Sequence, residues 1–114
     1  MKMRTLRIEY QLGVPSPIFE GNDAEAWVRE AFLREATSFL PQMMEVVTSA
    51  VTNRGHTVEF GGNEISFQGD ADHLIVTSEW IRDESDNECV IRLPTEEAKQ
   101  LLLRWREILD RRQK

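Results

Sequence analysis

The chain has 114 residues, room for one hydrophobic core and no second one, so residues 1–114 are expected to form a single domain. Apolar residues make up 40% and charged residues 30%, which excludes disordered and collagen-like classes and points to a globular protein. Fourteen Lys and Arg against twenty Asp and Glu leave a charge of −6, unsuited to wrapping a polyanion, so nucleic acid is not an expected partner.

No segment holds the roughly 18 consecutive apolar residues a membrane span needs, and no apolar run follows Lys2, Arg4 and Arg7 to make a signal peptide. The single cysteine, Cys89, cannot pair within the chain. A reducing cytoplasm and no membrane partner are the expectation.

Between Arg4 and Leu12 apolar and polar residues alternate strictly, which predicts a half-buried strand. Gly13, Pro15, Pro17 and Gly21 then predict a loop, with a short extended piece at Ile18 and Phe19. Asn22 or Asp23 can cap a helix whose inward face carries Trp27, Ala31 and Phe32 and whose outward face carries Arg29, Glu30, Arg34 and Glu35. Pro41 predicts a kink or break near Phe39 to Pro41, after which Met43, Met44, Val47, Ala50 and Val51 resume helical spacing up to a left-handed stop at Asn53-Arg54-Gly55.

The period then changes to two. Strands at His56–Phe60 and Glu64–Phe67 flank Gly61-Gly62-Asn63, whose composition tolerates the positive φ values of a tight hairpin. A longer strand runs from His73 to Ile81, the polar turn Asp83-Glu84-Ser85-Asp86-Asn87 follows, and Cys89–Leu93 forms the last strand. Thr95 is placed to cap a final helix with Glu96 and Glu97 in its first turn and Ala98, Leu101, Leu102, Trp105, Ile108 and Leu109 on one face. The expected fold is α+β: a mainly antiparallel sheet of about five strands, with a broken N-terminal helix and a C-terminal helix packed on one face.

Catalytic chemistry finds no constellation here. His56 and His73 have no nucleophile or zinc-ligand spacing around them, and Cys89 lies within a predicted strand as a small hydrophobe. Asp70, Asp72 and His73 have metal-ligand chemistry, but Asp70 and Asp72 flank a turn that favours Asp for its backbone bonds; the run Asp83–Glu88 lacks the glycine and distal glutamate of a calcium loop. No enzyme activity, metal or cofactor is expected.

Charge distribution is more informative. Eleven acidic residues against two basic ones between Glu59 and Glu97 give that half a charge of −9, while the remainder of the chain sums to +3. Such a surface attracts and steers a basic protein partner. The candidate contact residues are Asp70, Asp72, Glu79, Trp80, Asp83, Glu84, Asp86 and Glu88, with Trp80 as the aromatic anchor if exposed. Trp27 and Trp105 are expected in the core, and the basic residues Arg111, Arg112 and Lys114 are read as cations placed at a helix C-terminus.

The segment Cys89-Val90-Ile91-Arg92-Leu93-Pro94-Thr95-Glu96-Glu97, continued by Leu101, Leu102 and Trp105, resembles the C-terminal strand, Leu-Pro break and amphipathic helix of small bacterial immunity proteins, including those of contact-dependent growth inhibition systems. The resemblance implies a stoichiometric inhibitor that occludes a cognate, basic, nuclease-like toxin, and it carries over no functional residues. The alternative is a small acidic secretion chaperone or adaptor, homodimeric in that case.

Overall fold

A computed structural model describes residues 4–112; Lys2 and Lys114, both named above, lie outside the described residues. The fold is α+β, but the strands form two antiparallel sheets rather than one. Strands β1 (Leu6–Gln11) and β2 (Val14–Phe19) make a hairpin; β3 (Val58–Gly61), β4 (Ile65–Gly69), β5 (His73–Arg82) and β6 (Glu88–Pro94) form a four-stranded meander. Helices α1 (Ala24–Thr52) and α2 (Thr95–Arg112) complete the chain, and no described helix is long and apolar enough to cross a membrane.

The expected loop after Gly13 is a strand because its prolines fall where the ladder does not need them. Leu12 and Gly13, at φ 54° and 81°, form a two-residue turn with two left-handed residues, so Gln11 and Val14 make the bonded pair that closes it. Counting back, Tyr10 opposite Pro15 and Ile8 opposite Pro17 are non-bonded pairs, where a missing N–H costs nothing. The N–H of Phe19, in the same outward class, donates to the Glu30 carboxylate at 2.8 Å and ties β2 to α1.

Helix α1 is one element rather than two, kinked at Phe39 (φ −127°, ψ 30°). Pro41 has no N–H for the Thr37 carbonyl and disfavours helical geometry just before it. Asp23 caps the first turn, accepting from the Ala26 N–H at 2.9 Å. Phe32, before the bend, and Phe39, at it, pack on Phe67 and Phe60, which stack on each other with centroids 5.3 Å apart.

The inner face of the four-stranded sheet is read directly from its register: Phe60, Phe67, Val76 and Ile91 form one row across the strands, Gly69, Leu74 and Leu93 another. Trp105, Leu101 and Leu102 of α2 complete the core, and the indole N–H of Trp105 donates to the Thr37 hydroxyl at 3.1 Å. Trp27, expected inside, is only half-buried.

Two charged residues assigned to the outward face of α1 are buried instead. Strand β2, helix α2 and the four-stranded sheet all pack on α1 and leave it only an exposed stripe that includes Arg34 and Ser38, so Arg29 and Glu35 must find partners inside. Arg29 donates to the Glu97 carboxylate at 2.6 Å and to the Glu25 carbonyl at 2.9 Å. Burial opposes its charge, but the hydrogen bond and attraction from Glu97, joined by those from Glu25, prevail and raise its pKa above the ordinary guanidinium value. Glu35 accepts the N–H groups of Glu64 (2.7 Å) and Ile65 (3.1 Å) at the start of β4. The Glu35 carboxylate occupies the space a side chain at position 62 would need, so Gly62 serves that close approach; neither Gly61 nor Gly62 adopts the positive φ expected of them.

Thr95 does not cap α2 in the expected way: its hydroxyl donates to the Asp70 carbonyl at 2.6 Å, joining the helix start to the β4–β5 turn.

Replacing Glu97 with Ala leaves the buried Arg29 with Glu25 alone, and denaturant unfolding should show a loss of about 3 kcal/mol. Leu12→Asn should act in the opposite sense: it relieves a left-handed, fully solvent-exposed leucine, and its melting curve should reveal a gain of about 1 kcal/mol.

Candidate partner-binding site

The eight candidate residues fall into two groups at opposite ends of β5, a ten-residue strand about 30 Å long. Asp70 and Asp72 sit at the β4–β5 turn, where structure accounts for both. The Asp70 carboxylate accepts the N–H groups of Asp72 (2.9 Å) and His73 (3.2 Å), and these two bonds hold its pKa below the ordinary 3.8. Asp72 pairs with Arg54 at 3.2 Å, and its carbonyl receives the Thr95 N–H. A shallow depression here also takes in His73, Arg92 and Glu96 on the open side of the sheet.

Glu79, Trp80, Asp83, Glu84, Asp86 and Glu88 come together at the far end. The register between β5 and β6 is regular up to Ser78 opposite Cys89 and resumes at Arg82 opposite Glu88. Glu79, Trp80 and Ile81 therefore have no counterpart in β6, and the ribbon bulges. Ser78, fully buried, closes the bulge by accepting the Ile81 N–H on its hydroxyl at 3.3 Å, while the Glu79 N–H still reaches the Glu64 carbonyl at 3.1 Å. Bulges bend a strand and re-aim its side chains. Here Trp80 stands 67% exposed, out of line with the core row.

Beyond it the turn is self-supporting. One oxygen of Asp83 accepts the N–H groups of Ser85 (2.8 Å) and Asn87 (3.0 Å), and the main chain of Asp83 exchanges bonds with Asn87 and Asp86. Asp86 adopts φ 61°, a conformation short polar residues tolerate.

Counterions separate the two ends further. Within the acidic half, Glu64 is bound by Arg34, Asp72 by Arg54 and Glu97 by Arg29, all cations from α1 or its C-terminal loop. Among the described residues, none of the five carboxylates at the β5–β6 end has an ion-pair partner, and Arg82 is the one cation among them. The unneutralised charge thus surrounds the exposed tryptophan.

The outer face of the four-stranded sheet, with Glu59, Gln68, Ile75 and Arg92 in one row and Ser66, Thr77 and Val90 in the next, runs up to this end. Ile75 and Val90 are exposed on it, which sequence analysis did not single out, although their alternation with Leu74, Val76, Cys89 and Ile91 marks them as outward. Compared with models of protein families, with curated proteins and with solved structures, the chain matches none.

Because Asp70 is protonated less readily in the fold than in the unfolded chain, whose carboxyls titrate near 3.8, its contribution is complete above about pH 4 and lost as pH falls through the lower folded value. Asp70→Asn should flatten the acid limb of a melting-temperature profile and leave its slope near neutrality unchanged.

Proposed function

We propose that the chain is a stoichiometric inhibitor, an immunity protein that binds a cognate, basic, nuclease-like bacterial toxin domain in the cytoplasm and occludes its active or substrate-binding surface. The observation that carries this reading is Trp80, raised on a bulge beside five carboxylates without ion-pair partners. An exposed tryptophan supplies contact area at the centre of an interface, and the ring face also attracts Lys or Arg. The surrounding carboxylates steer a cationic surface toward it over distances set by ionic strength. The buried Ser78 and the Asp83 turn hold the ribbon in shape before binding, which lowers the ordering cost of association. Resemblance of the Cys89–Glu97 segment and the following helix to small immunity proteins points the same way. Inhibition is by coverage, with no chemistry, metal or cofactor contributed by this chain.

The test uses the product of the adjacent reading frame as the toxin. Co-expression should restore growth, and the purified pair should bind with a salt-sensitive association rate. Charge reversal belongs at Glu79, Glu84 and Glu88, because Asp83 and Asp86 are needed by the turn. The variant E79K/E84K/E88K should associate at least tenfold more slowly at low salt with a flattened salt dependence, while its melting temperature stays close to that of the parent. Trp80→Ala should instead raise the dissociation rate. An unchanged rate and salt slope in the triple variant would remove the acidic tip from the interface. Binding of a secreted effector rather than a toxin would favour the chaperone alternative.

A further inference from the structure

The first hairpin leaves one edge of β1 without a strand partner among the described residues. Pro15 and Pro17 lie opposite Tyr10 and Ile8 in non-bonded pairs, so the N–H and C=O groups of Ile8 and Tyr10 point away from β2. They face outward on the free side of β1. Among the described residues no strand covers that side, and its one side-chain partner is Arg104, which reaches the Leu6 carbonyl at 3.4 Å. An open edge of this kind is a template for strand addition.

The occupant is indicated by charge. Arg7 and Glu9 project from one face of β1, both exposed and 3.2 Å apart. If a second copy approaches antiparallel about a two-fold axis at Ile8, Arg7 lies opposite Glu9 of that copy and Glu9 opposite its Arg7. The bonded pairs are then Ile8 with Ile8, through free outward main-chain groups, and Leu6 with Tyr10, where the Tyr10 N–H replaces Arg104 on the Leu6 carbonyl. Arg7 and Glu9 occupy the non-bonded pair, where side chains approach most closely. Moving the axis one residue to Glu9 sets that carboxylate against itself, so the pattern selects the first register.

We propose that β1 pairs with β1 of a second copy, joining two hairpins into one continuous four-stranded antiparallel sheet and making the protein a two-fold dimer. The dimer lies on the hairpin, not on the four-stranded sheet that carries Trp80, and it stands independently of the function proposed above.

Sedimentation of the full chain across a concentration series at low salt tests the pairing, with circular dichroism as the control for folding. The parent should show a monomer–dimer equilibrium. Arg7→Glu or Glu9→Arg alone creates two like-charge contacts per dimer and should weaken dimerisation roughly tenfold. The double variant R7E/E9R reverses every pair and should restore the parental constant to within about threefold. A parent that stays monomeric throughout overturns the proposal. Dimerisation that ignores the single variants, or that the double variant fails to recover, overturns it equally.

Discussion

The buried pair between Arg29 and Glu97 sets the relation of everything else. It joins the first turns of α1 to the start of α2, residues 68 positions apart, at a site where both side chains are more than nine-tenths buried. A guanidinium left alone there is costly, so α2 must begin where Glu97 meets it, and Pro94-Thr95 must end β6 at that point. The Thr95 bonds to Asp70 and Asp72 then fix the β4–β5 turn against the same helix start. From that anchored end, β5 runs outward, and the acidic tip is the part of the sheet furthest from the constraint.

This gradient explains why acidic residues of similar sequence context differ in role. Carboxylates close to the helices, Glu35, Glu64 and Glu97, are consumed by main-chain N–H groups or by arginines of α1. Those at the tip form no ion pair among the described residues, with Arg82 as the one cation beside them. A net charge counted along the chain cannot separate the two kinds; the distinction is made by which elements lie above each strand. Glu79, Glu84 and Glu88 retain their field, whereas Asp72 has much of its own balanced by Arg54.

Legibility in the sequence followed the same logic. Helix α2 and the strands of the meander were readable because one side of each is buried, and a single buried face imposes a clean period. The kink at Phe39 was readable from Pro41, whose effect is local. Strand β2 was hidden because proline ordinarily opposes a ladder, and only the register of the hairpin reveals that Pro15 and Pro17 occupy positions without a bond to lose. Arg29 and Glu35 read as solvent-facing by type; that β2, α2 and the sheet together bury their side of α1 is a tertiary fact. At the candidate site, the polar turn and Trp80 were legible, but the bulge was not. Glu79-Trp80-Ile81 keeps the look of a continuing strand, and the slip appears only when β5 and β6 are aligned.

The bulge at Glu79–Ile81 also partitions the molecule for change over time. In an ordinary ribbon, adding or losing one residue near the tip turns every following side chain to the opposite face and destroys the core. Here the ladder is locked on the inner side at Ser78 and Cys89, and three residues beyond it are already unmatched. Length changes beyond Ser78 can therefore be absorbed outside the ladder. Outside the turn residues Asp83 and Asp86, the tip can vary in length and charge while the register beneath it stays fixed.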